Sequence, residues 1–233
     1  MGGTGPASDA GAAGEARPDG WSARHGGLQA SGVVLLWLGG MQRLARTHVL
    51  RRVPPDVLSA AGVVTAVGGV ATAATGGRWP LLAAALVVLV GVLDGLDGAV
   101  ALVSGRPRPL GAVIDATADR VTDVLLAVAL LVLGAPPAWC AVAGALTLLH
   151  EYVRARAQAA GMPGIGAVTV AERPTRIILV AVACAGAGLA PAGTPWLGWD
   201  WATVCVFGWV VAGAVGLAQL VRGVLRSIPS AGG

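Results

Sequence analysis

Five aspartates supply all the acidity of one long apolar interval. Between Leu58 and Thr147 the only acidic residues are Asp94, Asp97, Asp115, Asp119 and Asp123, set among runs of Ala, Val, Leu and Gly. Asp94 and Asp97 stand at i and i+3, and Asp115 and Asp119 at i and i+4, so on helices each pair projects from one face. Carboxylates are costly in an apolar solvent. On insertion scales one aspartate at the centre of a membrane helix costs roughly 2.5–3.5 kcal/mol, and four together on the order of 10 kcal/mol. Water, cationic side chains or metal ions must offset that cost. A cluster of oxygen donors suits hard divalent cations, and two such ions about 3.5–4 Å apart form the clamp used in displacement at phosphorus.

The elements that must position these acids read as membrane helices. The 233 residues are 55% hydrophobic and only 12% charged, against about 25% charged in a soluble domain; the mean hydropathy is +0.74. One soluble core cannot hide that much apolar surface, so the bilayer is the natural solvent. Six candidate spans follow one another at roughly 56–76, 80–103, 110–133, 138–159, 175–191 and 201–222, each close to the ~20 residues a bilayer requires. Gly76-Gly77, Pro107 and Pro109, Pro136-Pro137, Pro163 and the stretch Pro191–Pro195 punctuate them. The second and third spans are antiparallel across a short loop, which allows depth to be compared. Asp97 and Asp115 both fall roughly 8–9 Å from that loop, and Asp94 and Asp119 roughly 13–14 Å, at about 1.5 Å per residue. The four carboxylates are therefore expected to meet at matched depths.

The predicted architecture is an all-α integral membrane domain over 31–226: six transmembrane helices preceded by an amphipathic interfacial helix. Residues 1–30 lack hydrophobic periodicity and read as a disordered tail, and 227–233 as a short tail. Residues 33–52 mix Val33, Val34, Leu35, Leu36, Trp37 and Leu38 with Arg43, Arg46, Arg51 and Arg52, the pattern of a helix lying at the headgroups. All 16 basic residues are arginine. With the amino terminus in the cytoplasm, Arg106, Arg108, Arg154, Arg156, Arg173, Arg176, Arg222 and Arg226 fall on or near the cytoplasmic side, and only Arg78 lies in an outer loop. That topology accounts for a pI near 9.8 without nucleic acid, since no stretch joins clustered Arg to exposed aromatics. Cys140, Cys184 and Cys205 are widely spaced in apolar runs, which points to burial rather than disulfides or metal binding.

The acids also form a recognisable string. Asp94-Gly-Leu-Asp97-Gly98-Ala-Val-Ala101, nine residues, Gly111, three residues, Asp115, three residues and Asp119 resembles the signature of the CDP-alcohol phosphatidyltransferases, in which D-x-x-D-G-x-x-A-R is followed after eight residues by G-x-x-x-D-x-x-x-D. All four aspartates and both glycines match, and the resemblance covers roughly residues 33–226. It implies transfer of a phosphatidyl group from CDP-diacylglycerol to an alcohol with release of CMP, at the cytoplasmic face of a multi-pass cell-membrane protein, and is compatible with a homodimer. Two Mg2+ or Mn2+ ions would be held by Asp94, Asp97, Asp115 and Asp119. Asp119 would take the proton from the acceptor hydroxyl. Asp94, Asp97, Gly98, Ala101 and Gly111 would line the CDP moiety. The family's arginine after the alanine is Leu102 here, so Arg106 is the expected replacement among the CDP contacts. A catalytically weakened member is the other reading of Leu102.

The acceptor side rests on two further stretches, His150-Glu151-Tyr152-Val153-Arg154-Ala155-Arg156 and Glu172-Arg173-Pro174-Thr175-Arg176. With the Asp115–Asp123 segment they resemble the actinobacterial phosphatidylinositol-phosphate synthase branch. That resemblance implies that Arg154, Arg173 and Arg176 hold a phosphate on the acceptor, either inositol phosphate or glycerol phosphate, through charge-assisted hydrogen bonds. Plain positive-inside anchoring is the competing account of the same arginines. Asp123 is expected to pair with Arg120 or another arginine, and His150 to pack at a helix end. Gly68, Gly69, Gly213 and Gly216 read as helix-packing contacts, and Trp196, Trp199 and Trp201 as an interfacial belt. A transporter remains the reading from a different class, because intramembrane acids also mark ion pathways. It would, however, want a second acidic layer toward the far face, and none is present.

Overall fold

The computed structural model describes residues 40, 43, 47, 53–104, 109–162, 168–195 and 197–227, with 101–104 by backbone alone. The expected interfacial helix and both tails, Arg106 and Arg108, Trp196, and the side chains of Ala101 and Leu102 lie outside what is described. Among the described residues the chain is all-helical. Six long helices run in the order α1 (Pro55–Ala74), α2 (Trp79–Ser104), α3 (Pro109–Val132), α4 (Pro137–Ala159), α5 (Arg173–Leu189) and α6 (Trp201–Ser227). Each boundary falls within a few residues of its expected place, and α6 runs furthest beyond, to Ser227.

Local chemistry explains the boundaries. Proline opens α1, α4 and α5 in the first turn, where its missing N–H costs nothing. Between α1 and α2 the chain reverses through Gly76 and Gly77, both with positive φ (71° and 58°), a conformation open to residues without a Cβ. At the end of α3, Ala135 N–H returns to Leu130 O at 3.0 Å across Gly134, closing orphan carbonyls of the last turn.

The helices pack with α1 against α2 and α3, α2 against α5, and α4 and α5 against α6. The main core joins Val87, Leu126, Leu130, Val180, Cys184, Val206 and Trp209. Trp209 is buried in it and donates from Nε1 to Thr147 Oγ1 at 3.0 Å. A smaller cluster of Leu58, Leu96, Ala99 and Val100 lies between α1 and α2. All three cysteines are free and buried. Gly216 admits α6 against the α4–α5 connection, since a Cβ there would collide with Ala171.

The outer surface is apolar, with Val64 70% and Val211 63% exposed. Such a surface belongs in lipid rather than water. Three stretches, Pro55–Ala74, Trp79–Val100 and Trp201–Ser227, are long and apolar enough to cross a membrane. The other three helices differ for visible reasons. Charged Asp115, Asp119, Arg120 and Asp123 interrupt α3, Glu151, Arg154 and Arg156 close α4, and α5 has only 17 residues.

Candidate metal centre and its arginine lattice

Asp94 and Asp97 come from the second half of α2, and Asp115 and Asp119 from the first half of α3. The acids of the two helices face one another, Asp94 against Asp119 and Asp97 against Asp115. These are the pairings that equal depth predicts. One carboxylate oxygen from each of Asp94, Asp97 and Asp115 lies within 4.8 Å of the others. Unit negative charges that close repel by about 3 kcal/mol or more at an effective dielectric of 20. A cation of high charge density relieves that repulsion.

The donor set fits a divalent ion on a second count. Oδ1 of Asp115 is buried and has no hydrogen-bond partner, an acceptor left open at the middle of the cluster. Gly98, next in sequence to Asp97, is exposed between buried neighbours, and a Cβ there would meet nothing within 4 Å. Its small size serves open space rather than helix packing. Gly111 is half-buried at the start of α3.

Asp119 stands apart from the three-acid group. Its Oδ1 pairs with Arg173 Nη1 at 2.6 Å, while Arg173 Nε reaches Asp94 Oδ1 at 3.2 Å. Arg120 Nη2 is 3.8 Å from Asp119 Oδ2. Arg173 therefore enters the acid cluster itself, from the first turn of α5, instead of standing on a separate acceptor surface.

Next to this cluster lies a lattice in which carboxylates and guanidiniums alternate. Arg176 is 3% exposed and Asp123 2%; they pair at 2.6 Å, and Arg176 also reaches Glu151 Oε1 at 3.2 Å. Arg120 bridges Asp123 at 3.2 Å and Glu151 at 3.3 Å. Arg154 makes a two-toothed pair with Glu172, at 2.6 Å and 3.2 Å. Glu172 Oε1 also accepts from Thr169 N and Thr169 Oγ1, and the same Thr169 hydroxyl lies 3.1 Å from His150 Nε2. Burial alone would raise the Glu172 carboxyl, but the hydrogen bonds and charge of Arg154 and the Thr169 donors outweigh it and hold it below its ordinary range.

These contacts revise the expected division of labour. Asp123 pairs with arginines, as its spacing suggests; His150 is packed, as expected, but in the body of α4, nine residues before its end. Arg176 lies between two carboxylates and ties α3, α4 and α5 together. Glu151 and Glu172 carry contacts that the sequence reading did not assign them. A count of opposite charges at the span ends was the signal available for them. Trp201 divides its indole, donating from Nε1 to Ala190 O at 3.2 Å, while Trp199 stays exposed.

Comparison with known proteins then decides the family. The family model described as CDP-alcohol phosphatidyltransferase matches residues 52–218. The chain belongs to the CDP-alcohol phosphatidyltransferase family. It is an enzyme that transfers a phosphatidyl group to an alcohol, in phospholipid biosynthesis. The phosphatidylinositol phosphate synthase of Mycolicibacterium smegmatis is 34% identical over 199 residues, covering 81% of this chain and 84% of that protein. The archaetidylinositol phosphate synthase of Aeropyrum pernix is 31% identical over 56% of this chain and 69% of its own length. Among solved structures, the Mycobacterium tuberculosis phosphatidylinositol phosphate synthase with CDP-DAG bound superposes with a TM-score of 0.64 at 26% identity, over 83% of this chain and 97% of that one. The same mycobacterial enzyme has been crystallised with manganese and citrate, and that structure also gives a TM-score of 0.64, at 25% identity. A divalent metal cofactor agrees with the acid cluster found in this CDP-alcohol phosphatidyltransferase.

Proposed function

We propose that this transferase takes CDP-diacylglycerol as donor and a phosphorylated polyol, inositol phosphate first, as acceptor. The observation that carries the reading is the seating of Arg173 between Asp94 and Asp119. It puts a phosphate-binding side chain against the acids that hold the metal, so donor and acceptor phosphates would meet there. The printed identities of the mycobacterial and archaeal relatives support the choice of acceptor.

Asp94, Asp97 and Asp115 would hold one divalent ion, with Asp119 joining them for a second. When bound, the metal neutralises charge on phosphate oxygens and orients the diphosphate. The chain's own residues do the remainder. Gly98 and Gly111 leave room for the nucleotide to approach α2 and α3, and the motif implies Ala101 and Arg106 as further CDP contacts. Asp119 accepts the proton of the acceptor hydroxyl once Arg173 turns toward the acceptor's phosphate. Arg154 adds a second guanidinium, and Arg176 holds the α3–α4–α5 frame that aims both. CMP then leaves from the CDP side.

In this reading all six helices span the bilayer, the shorter and more charged ones shielded by their neighbours, within a unit covering 31–226. The arginine-rich end faces the cytoplasm of a cell-membrane protein, and a homodimer is the expected assembly. The test is purified full-length protein in lipid, given radiolabelled CDP-diacylglycerol, Mn2+ or Mg2+, and separate acceptors. CMP release with inositol phosphate, and little with glycerol phosphate or inositol, is expected. Release with glycerol phosphate alone overturns the acceptor. Release with none, under conditions where a relative is active, points to Leu102 and a weakened enzyme.

A further inference from the structure

α1 contributes no acid to the metal centre, yet it reaches the centre with one polar side chain. Ser59 Oγ donates to Asp97 Oδ2 at 2.9 Å, and the two residues are 7% and 5% exposed. The hydroxyl's other acceptor, Pro55 O one turn back, is longer at 3.3 Å, so the carboxylate is the better partner. Leu58, Leu96, Ala99 and Val100 are buried around this contact, with Val53, Val92 and Leu93 packed on them. Water has little access to replace the hydroxyl.

We propose that Ser59 is a positioning residue for the metal centre, holding the Asp97 carboxylate in its coordinating orientation through a neutral, buried hydrogen bond. The proposal rests on the metal site described above and names a residue outside the aspartate motif.

The physical case is a contrast between three neighbouring acids. Asp94 leans on Arg173, a full positive charge that competes with any cation for the same oxygens. Asp115 keeps Oδ1 without a partner. Among the described residues Asp97 alone of the three accepts from an uncharged side-chain donor. The terminal torsion of an aspartate is broad and nearly two-fold, so a free carboxylate samples orientations that coordinate poorly. A donor fixed on a neighbouring helix selects one orientation and adds no charge to repel an incoming ion. Outer partners of this kind typically contribute 10–100-fold to metal affinity. The bond also couples α1 to the site, because a shift of α1 against α2 would release Asp97.

The experiment is Mn2+ titration of the purified full chain, followed by loss of the electron paramagnetic resonance signal of free Mn2+. Ser59→Ala, and Ser59→Cys, which keeps the bulk but donates weakly, should each bind Mn2+ about 10-fold more weakly or worse. Ser59→Thr, which restores the hydroxyl, should bind like the parent. Thr72→Ala serves as control, since Thr72 donates only to the backbone of Gly68 and Gly69 on the same helix; its Mn2+ affinity should not change. Parent-like binding in Ser59→Ala and Ser59→Cys overturns the proposal, as does Ser59→Thr binding as weakly as Ser59→Ala. A parent chain that takes up no Mn2+ overturns the metal site itself, a different outcome from either.

Discussion

Two carboxylate-rich regions adjoin within the helix bundle. In the first, made of Asp94, Asp97, Asp115 and Asp119, Arg173 pairs with Asp94 and Asp119, and Arg120 lies only at the margin of Asp119. In the second, Asp123, Glu151 and Glu172 face Arg120, Arg154 and Arg176, three acids to three bases, with each carboxylate in contact with at least one guanidinium. The same residue types thus serve opposite ends. A lattice balanced in charge fixes the relative placement of α3, α4 and α5, even with Asp123 Oδ1 left without a hydrogen-bond partner. An unbalanced cluster keeps an open acceptor on Asp115 and net negative charge, so it calls for cations from outside. Position on α3 grades the two: Asp115 faces Asp97 of α2, Asp119 meets both Asp94 of α2 and Arg173 of α5, and Asp123, one turn on, meets Arg176 of α5.

The sharpest way to break that contrast is to remove one acid from each side. Asp115→Asn should cut CMP release by about 10³-fold, the equivalent of roughly 4 kcal/mol lost from the several that a metal contributes to charge neutralisation. The folded state should survive, and metal-free thermal stability should hold or rise, because repulsion within the cluster is relieved. Next in size is Asp123→Ala, which leaves the buried Arg176 with Glu151 alone. Breaking one side of a buried pair costs about 3–5 kcal/mol, so a clear fall in thermal midpoint is expected, with activity lost through folding rather than through metal affinity. The double variant Asp123→Leu with Arg176→Met should recover much of that midpoint. If it does not, the lattice does more than balance charge.

A smaller effect concerns acid. The Glu172 carboxyl is held below its ordinary value of 4.5. Its contribution to stability is therefore complete above about pH 4.5 and is lost as pH falls through the lower folded value. Glu172→Gln should be less stable than the parent at neutral pH, and the difference should shrink as pH is lowered below 4.5. A difference independent of pH would show that the Glu172 contact acts through shape alone.

The comparison also shows what a sequence exposes and what it hides. Helix limits were legible because Gly76-Gly77, Pro109 and Pro136-Pro137 mark them with backbone chemistry that depends on no distant residue. The facing of Asp94 with Asp119 and Asp97 with Asp115 was legible too, since two antiparallel helices joined by a short loop make depth a matter of counting. The lattice was not legible. Arg176 meets Asp123 across 53 positions and Ser59 meets Asp97 across 38, and no periodicity reports such meetings. Arg154, Arg173 and Arg176 read equally well as cytoplasmic anchors or phosphate contacts until packing showed three different sets of partners. Among the described residues only three helices are long and apolar enough to span alone, because α3 and α4 carry the lattice charges and α5 has only 17 residues.

Anomalous diffraction at the manganese absorption edge, from crystals of the full chain grown with Mn2+, tests the central claim most directly. The account predicts a peak among the carboxylates of Asp94, Asp97 and Asp115, absent in Asp115→Asn. Manganese bound instead in the Asp123–Glu151–Glu172 lattice, or unchanged in that variant, would contradict it.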